Sequence, residues 1–215
     1  MHIVTDILFI ALSTAVINNL VLTYFVGICP YLGVSRRIDT AFGMGCGVTF
    51  VITMAGTVTW LISHFALLPG CALVRAVNAL AGRHIVNDLL FLQYIIFIFV
   101  IAAMVQLVEM YIRKFAPALY KALGVYLPLI TTNCAILFAC LMIAKSPELT
   151  DNFLYALVYS FFGGIGFTIA IILMAGIREE LENADIPEPL KGAGISLITA
   201  GLMALAFMGF KGMAG

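Results

Sequence analysis

Five cysteines carry the most distinctive side-chain chemistry in this sequence. They are Cys29, Cys46, Cys71, Cys134 and Cys140, and no two of them form a C-x-x-C pair. A thiolate binds iron well, but a single cysteine in an apolar segment is usually a small core residue. An odd number of cysteines within apolar segments is also a poor disulfide framework. A metal site is therefore indicated only if the fold pairs two of these residues.

The composition around the cysteines requires a membrane environment. Hydrophobic residues account for 63% of the 215-residue chain and charged residues for only 10%, which leaves too little polar surface for a soluble globule. The 11 basic and 11 acidic residues cancel, so no excess of charge indicates a nucleic-acid or polyanionic partner. We therefore expect an integral membrane protein that makes no contact with nucleic acid.

Six stretches almost free of charged residues are long enough to cross the hydrocarbon core, which takes about 20 residues of helix. They lie at about 7–34, 40–63, 89–112, 122–144, 152–177 and 193–210. The predicted fold class is all-α, a polytopic membrane protein with six transmembrane helices in one membrane domain, 1–215. Loops one, three and five carry seven Lys and Arg residues against four on the other side, which places both termini outside the cytoplasm.

A weak internal repeat divides the chain into approximate halves, 1–115 and 116–215, with three helices each. Gly45-Cys46-Gly47-Val48-Thr49 parallels Gly164-Ile165-Gly166-Phe167-Thr168, and we align Cys29 with Cys134. An odd number of helices per repeat inverts one half relative to the other, and such proteins commonly place their sites near the midplane between the repeats. The repeat therefore predicts that Cys29 and Cys134 lie close together.

Helix breakers flank both of these cysteines. The breakers are Gly27, Pro30 and Gly33 around Cys29, and Gly124 and Pro128 before Cys134. Irregular backbone is tolerated within a membrane where protein shields it, so we expect helices one and four to be broken. Two thiolates are half of the four that hold an iron–sulfur cluster, so a cluster here would need two more from a partner subunit. The other three cysteines lack repeat partners and are predicted to be structural.

Several polar residues have more than one possible role. Five of them can line an ion path, donate hydrogen bonds to cluster sulfurs or bridge helices, namely Asn18, Asn19, Thr131, Thr132 and Asn133. Glu109 lies four residues before Arg113, which favours an interfacial ion pair over ion coupling. We expect the acidic segment from Arg178 to Lys191 to be a solvated cytoplasmic connection, with docking of a soluble partner as the alternative.

Three runs of sequence resemble a known family. They are Gly27 to Arg37, Tyr120 to Leu137 and Ile198 to Phe210. Over nearly its whole length the chain resembles the A subunit of Rnf-type ion-translocating ferredoxin:NAD+ oxidoreductases, in the Rnf A / Nqr E family. The resemblance implies a membrane subunit that relays electrons through a [2Fe–2S] cluster. Cys29 and Cys134 would supply two of its ligands and a paralogous membrane subunit the other two.

The resemblance also implies partners and a location. Ferredoxin and NAD+ would react at other Rnf subunits, which hold the flavins and bind NAD, and the translocated ion would be Na+ or H+. This chain would not be catalytic alone, and it has no glycine-rich loop after a strand to bind a nucleotide. The expected location is the bacterial or archaeal cytoplasmic (inner) membrane, crossed several times.

Three other functions stay open at this point. The first is the E subunit of the Na+-translocating NADH:quinone reductase, a close relative of the same family. The second is a secondary transporter, because inverted repeats with broken helices are also a transporter design. A transporter would be colourless and active alone, whereas a redox subunit would carry iron and sulfide only with its partner. The third is a structural membrane scaffold, which would tolerate replacement of Cys29 and Cys134.

Overall fold

The computed structural model of the protein is built from helices. It describes residues 2–64, 89–115, 129–130 and 133–213, and no strand occurs within these ranges. The all-α prediction is confirmed for this part of the chain. Several predicted features lie outside the described residues: Cys71 with most of the loop 64–88, the breakers Gly124 and Pro128, the pair Thr131 and Thr132, and the side chains of Glu109 and Arg113.

The first apolar stretch consists of short helical segments rather than one helix. Helix α1 spans His2–Leu12 and continues into a π-helical turn, Ser13–Ile17, which is followed by α2 (Leu20–Tyr24) and α3 (Ile28–Gly33). The wide turn closes where the Asn18 N–H donates to the Ser13 carbonyl oxygen, five residues back, at 2.6 Å. Helix one is therefore broken twice, after Ile17 and after Tyr24.

Left-handed backbone at Phe25 (φ 54°) and Gly27 (φ 83°) makes the second break. Glycine adopts this conformation freely, whereas a residue with a side chain does so at a cost of about 1–2 kcal/mol. Pro30 and Gly33, which the sequence suggested as breakers, instead lie within α3. Proline fits there because N–H groups in the first turn of a helix have no intrahelical acceptor.

The rest of the described chain forms long helices joined by short ones. They are α4 (Ile38–Ile62), α5 (Leu89–Phe115), α6 (Cys134–Lys145), α7 (Pro147–Asp151), α8 (Phe153–Leu181), a 3₁₀ turn (Glu188–Leu190) and α9 (Ala193–Met213). Among the described residues, three helices are long and apolar enough to cross a membrane: α4, α8 and the 193–210 part of α9. The stretches 5–17, 97–107 and 134–145 are apolar but shorter, so the count of six spans stays a prediction.

The core forms where α4 packs lengthwise against α8. Two glycines allow the close approach: a Cβ on Gly164 would lie 2.6 Å from Thr49 Cα, and one on Gly45 would lie 2.6 Å from Thr168 Cγ2. The hydroxyls of Thr49 and Thr168 hydrogen-bond to each other at 3.1 Å. Each glycine therefore faces the threonine of the opposite helix, which makes the contact reciprocal.

Large apolar side chains cover much of the outer surface. Phe99 on α5 is 73% exposed, and Leu202 and Leu205 on α9 are 62% and 64% exposed. Water would make so much exposed apolar surface unfavourable, whereas lipid or neighbouring subunits would cover it. The outer surface therefore fits a membrane environment.

Candidate cofactor site

Cys29 and Cys134 each lie at the start of a helix, after the left-handed Gly27 in one case and after the extended Asn133 in the other. Cys29 is the second residue of α3, and Cys134 is the first residue of α6. Both thiols are free, and both cysteines are exposed at the surface of the chain. A cofactor bound here would therefore be accessible to ligands from a neighbouring subunit.

One hydrogen bond joins the two cysteine segments. The Gly27 N–H donates to Cys134 Sγ at 3.0 Å, and Gly27 lies two residues before Cys29. A backbone N–H directed at a sulfur stabilises negative charge on it, and hydrogen bonds to sulfur are one of the features that tune iron–sulfur clusters. The structure thus brings together the two segments that the internal repeat paired.

The donor set fits an iron–sulfur cluster but supplies only part of its ligands. Thiolates are the ligands that such clusters prefer, and here both thiols are free and exposed, and an N–H from the segment that carries Cys29 is directed at the sulfur of Cys134. Within the ranges that the structure describes, no group of three or more His, Cys, Asp and Glu side chains converges. Further ligands would therefore come from outside these ranges.

Tight packing holds Gly27 in position. A Cβ at this residue would lie 3.0 Å from Phe167 Cε2, 3.1 Å from Ala135 Cβ and 3.2 Å from Asn133 Oδ1. Phe167 and Ala135 are both fully buried, so neither has open space into which to move. Glycine alone combines this contact with a positive φ, and it thereby directs its N–H at Cys134.

Replacing Gly27 with alanine is expected to lower the melting temperature of the purified protein. The change adds left-handed strain of about 1–2 kcal/mol and crowding of about 1–3 kcal/mol. The matched control is Gly192→Ala, because Gly192 also has a positive φ (94°) but nothing within 4 Å of its added Cβ. Thermal unfolding in detergent should show the larger loss for Gly27→Ala. Equal losses would show that packing at Gly27 contributes nothing.

Two asparagines cap the helices that follow the breaks. Asn19 Oδ1 accepts from the N–H groups of Val21 and Leu22, while its amide donates to Gly166 O at 2.7 Å and Ala15 O at 3.1 Å. Every hydrogen-bonding group of the Asn19 amide is engaged, so this residue bridges helices. Asn133 is the N-cap of α6, with Oδ1 accepting from Ala135 N at 3.0 Å.

Arg178 fixes the end of the helix that carries Cys29. Its Nη1 donates to Leu32 O at 2.7 Å and to Ser35 Oγ at 3.0 Å, and Ser35 is fully buried. The neighbouring Glu179 accepts from Ile38 N at 3.0 Å, at the start of α4. Helix α8 continues to Leu181, so Arg178 and Glu179 belong to this helix and the connection begins after them. The helix therefore extends about four residues beyond the apolar stretch that the sequence marks as ending near residue 177.

Two of the other cysteines have quite different surroundings. Cys140 is fully buried in the core, where it packs as a small apolar side chain. Cys46 is exposed and lines an open apolar groove of about 430 Å³ along α4 and α8, together with Phe50, Phe161 and Ile165. A structural role for Cys46, Cys71 and Cys140 stays a prediction.

The apolar helices, the lipid-compatible exterior and the two exposed thiols beside helix breaks define a helical membrane protein with a candidate cofactor site. A family model described as "Rnf-Nqr subunit, membrane protein" matches residues 7–214. The chain belongs to this family, which confirms the resemblance found in its sequence.

Curated relatives match the chain over almost its full length. A protein of Erwinia tasmaniensis is 46% identical over 209 residues, which cover 97% of this chain and 98% of the relative. A protein of Azoarcus sp. is 47% identical over 206 residues, covering 96% of each chain. A protein of Citrobacter koseri is 46% identical with the same coverage as the first. The names of all three describe the A subunit of an ion-translocating oxidoreductase complex.

Proposed function

We propose that this chain is the A subunit of a membrane-bound, ion-translocating ferredoxin:NAD+ oxidoreductase of the Rnf type. In this role it relays electrons through a [2Fe–2S] cluster that it shares with a paralogous membrane subunit. The names of the curated relatives support the complex, and the family supports the membrane. The observation that supports the cluster is the hydrogen bond from Gly27 N–H to Cys134 Sγ, because it joins the two segments that carry the exposed cysteines.

The residues of this chain would perform three tasks at the cluster. Cys29 and Cys134 hold iron through their thiolates, Gly27 stabilises negative charge on one sulfur, and Phe167 with Ala135 closes the apolar wall behind the break. A bound cluster supplies a one-electron carrier in a region of low polarity. Flavins, NAD and the ferredoxin contact belong to other subunits, and Na+ or H+ is the ion moved by the complex.

We further propose that the six spans form two inverted three-helix repeats. The reciprocal contacts of Gly45 with Thr168 and of Gly164 with Thr49 support this arrangement, because a two-fold axis that relates the repeats converts one contact into the other. Asn19 and Asn133 both cap a helix that follows a break, which favours aligning these two residues in the repeats. In that alignment Cys134 is equivalent to Leu20 and not to Cys29. The cysteines would then meet through the broken backbone and not through equivalent repeat positions.

Metal analysis of the chain with and without its paralogue tests this function. Co-expressed subunits should purify with iron, acid-labile sulfide and a paramagnetic signal after reduction, whereas the chain alone should contain neither iron nor sulfide. A secondary transporter would bind and move its substrate without a partner and without iron. A co-purified pair free of iron under anaerobic preparation would contradict the proposal.

Both chain ends are expected to face the periplasm or cell exterior. The seven-to-four division of Lys and Arg carries this prediction, since basic loops are retained in the cytoplasm. Alkaline phosphatase fused after Gly215 should therefore be active, and green fluorescent protein fused at the same point should be dark. A fluorescent fusion beside an inactive phosphatase fusion would reverse the orientation.

A further inference from the structure

We infer that the side-chain amide of Asn133 donates a hydrogen bond to a sulfur of the cluster and thereby raises its reduction potential. The inference rests on the proposed function and assigns a positioning and tuning role to a residue that is not a ligand. It separates Asn133 from Asn19, since sequence alone allows the two asparagines the same roles.

Burial makes the unused amide nitrogen of Asn133 significant. The residue is only 4% exposed, and its Nδ2 has no hydrogen-bond partner within the described residues. A buried donor left unpaired destabilises the fold, and native proteins rarely retain such groups without a partner. An acceptor for this amide is therefore expected in the assembled complex.

The orientation of the amide follows from its other bond. Oδ1 accepts from the Ala135 N–H at 3.0 Å, an arrangement that requires an oxygen at this position. The remaining position of the amide is consequently occupied by Nδ2, which carries two N–H groups. The structure thus offers two donors that the described part of the chain does not use.

The surroundings of Asn133 place this donor at the cofactor site. Asn133 directly precedes Cys134, and its Oδ1 lies 3.2 Å from the position of a Cβ on Gly27. Gly27 itself donates to Cys134 Sγ at 3.0 Å. A backbone donor to sulfur and an unused side-chain donor therefore lie next to each other, beside the residue that would bind iron.

Asn19 provides the internal comparison. It caps α2 as Asn133 caps α6, yet its Nδ2 donates to two carbonyl oxygens of the chain, at Gly166 and Ala15. Its donors are used within the fold, so it has none left for a cofactor. The amide donors of the two caps therefore differ, and this difference identifies Asn133 as the one with a partner outside the described residues.

A hydrogen bond to sulfur favours the reduced cluster, because reduction adds negative charge that the donor stabilises. Asn133→Ser keeps an oxygen that caps α6 but removes the amide donor. At a fixed potential we expect the ratio of reduced to oxidised cluster to fall about tenfold, which equals about 59 mV for a one-electron couple. Asn133→Asp also keeps the cap and adds a negative charge, so its shift should be larger and in the same direction.

Redox titration of the anaerobically purified complex, followed by electron paramagnetic resonance, measures this shift. The matched control is Asn19→Ser, which should lower thermal stability but leave the midpoint potential unchanged. An unshifted potential in Asn133→Ser with a normal signal would overturn the inference and indicate that the amide bonds to the partner subunit. Absence of any cluster signal in the unmodified complex would instead overturn the proposed function.

A second measurement covers the case in which the Asn133 variants do not assemble. The unmodified complex is prepared with asparagine labelled with nitrogen-15 at the side-chain amide, and pulsed electron paramagnetic resonance is recorded on the reduced cluster. A weakly coupled nitrogen-15 nucleus supports a hydrogen bond from an asparagine amide to the cluster. The absence of this coupling would contradict the inference without any change to the protein.

Discussion

Serine at position 29 or 134 is expected to abolish or strongly perturb the membrane cluster signal of the assembled complex. A hydroxyl binds iron much more weakly than a thiolate, although serine is nearly the same size. Both side chains are exposed at the surface of the chain, so their replacement should leave the fold of this subunit intact. Ferredoxin-linked NAD+ reduction should fall together with the signal.

The remaining cysteines supply the controls for this experiment. Cys46→Ser and Cys71→Ser should retain the signal, and so should Cys140→Ser at a cost of about 1–3 kcal/mol for burying a hydroxyl in the core. Assembly is checked by co-purification of the partner subunits before each spectrum is recorded. A normal signal in assembled Cys29→Ser and Cys134→Ser complexes, or its loss in Cys46→Ser, would refute the ligand assignment.

The second large effect is expected at the helix contact that forms the core. Gly164→Ala would place a methyl group 2.6 Å from the Cα of Thr49, and backbone cannot rotate away as a side chain can. Gly45→Ala would meet the Thr168 side chain at a similar distance. We expect each change to destabilise the protein by about 1–3 kcal/mol, with Gly164→Ala the more severe.

Two glycines on the same helices serve as matched controls. Gly176 on α8 and Gly43 on α4 have nothing within 4 Å of an added Cβ. Alanine at these positions should be neutral or stabilising by up to about 1 kcal/mol, because alanine favours a helix more than glycine does. Thermal unfolding of the four purified variants gives the comparison. Similar melting temperatures for Gly164→Ala and Gly176→Ala would show that close packing is not needed here.

The contact between the segments that carry Cys29 and Cys134 could be predicted in part from local features. The glycines and the proline near Cys29 and the limits that a membrane places on irregular backbone are visible in the sequence. The alignment of Cys29 with Cys134 as equivalent repeat positions is not the one that the asparagine caps favour. The details of the break were not visible in the same way. Pro30 fits the first turn of α3 and does not break it. The break at Asn18 depends on the next residue, Asn19, which caps α2 within an apolar run.

The remaining differences arise from contacts between distant parts of the chain. Arg178 marks the end of an apolar run, but its hydrogen bonds to Leu32 and Ser35 follow only from the packing of α8 against the first helices. The contrast between Asn19 and Asn133 has the same origin, since Gly166 supplies an acceptor to one of them. The spacing of residues in the sequence does not indicate hydrogen-bond partners that lie far apart along the chain.

The reciprocal contact between α4 and α8 has the form of an interface between two copies of one ancestral unit. The same glycine-threonine surface is present on both sides, and each side is complementary to the other. In the inverted repeat proposed above, a half-length protein that inserted into the membrane in both orientations would form this contact with its own copy. Gene duplication and fusion would then fix one orientation for each half, and the two halves would be free to diverge around a shared centre.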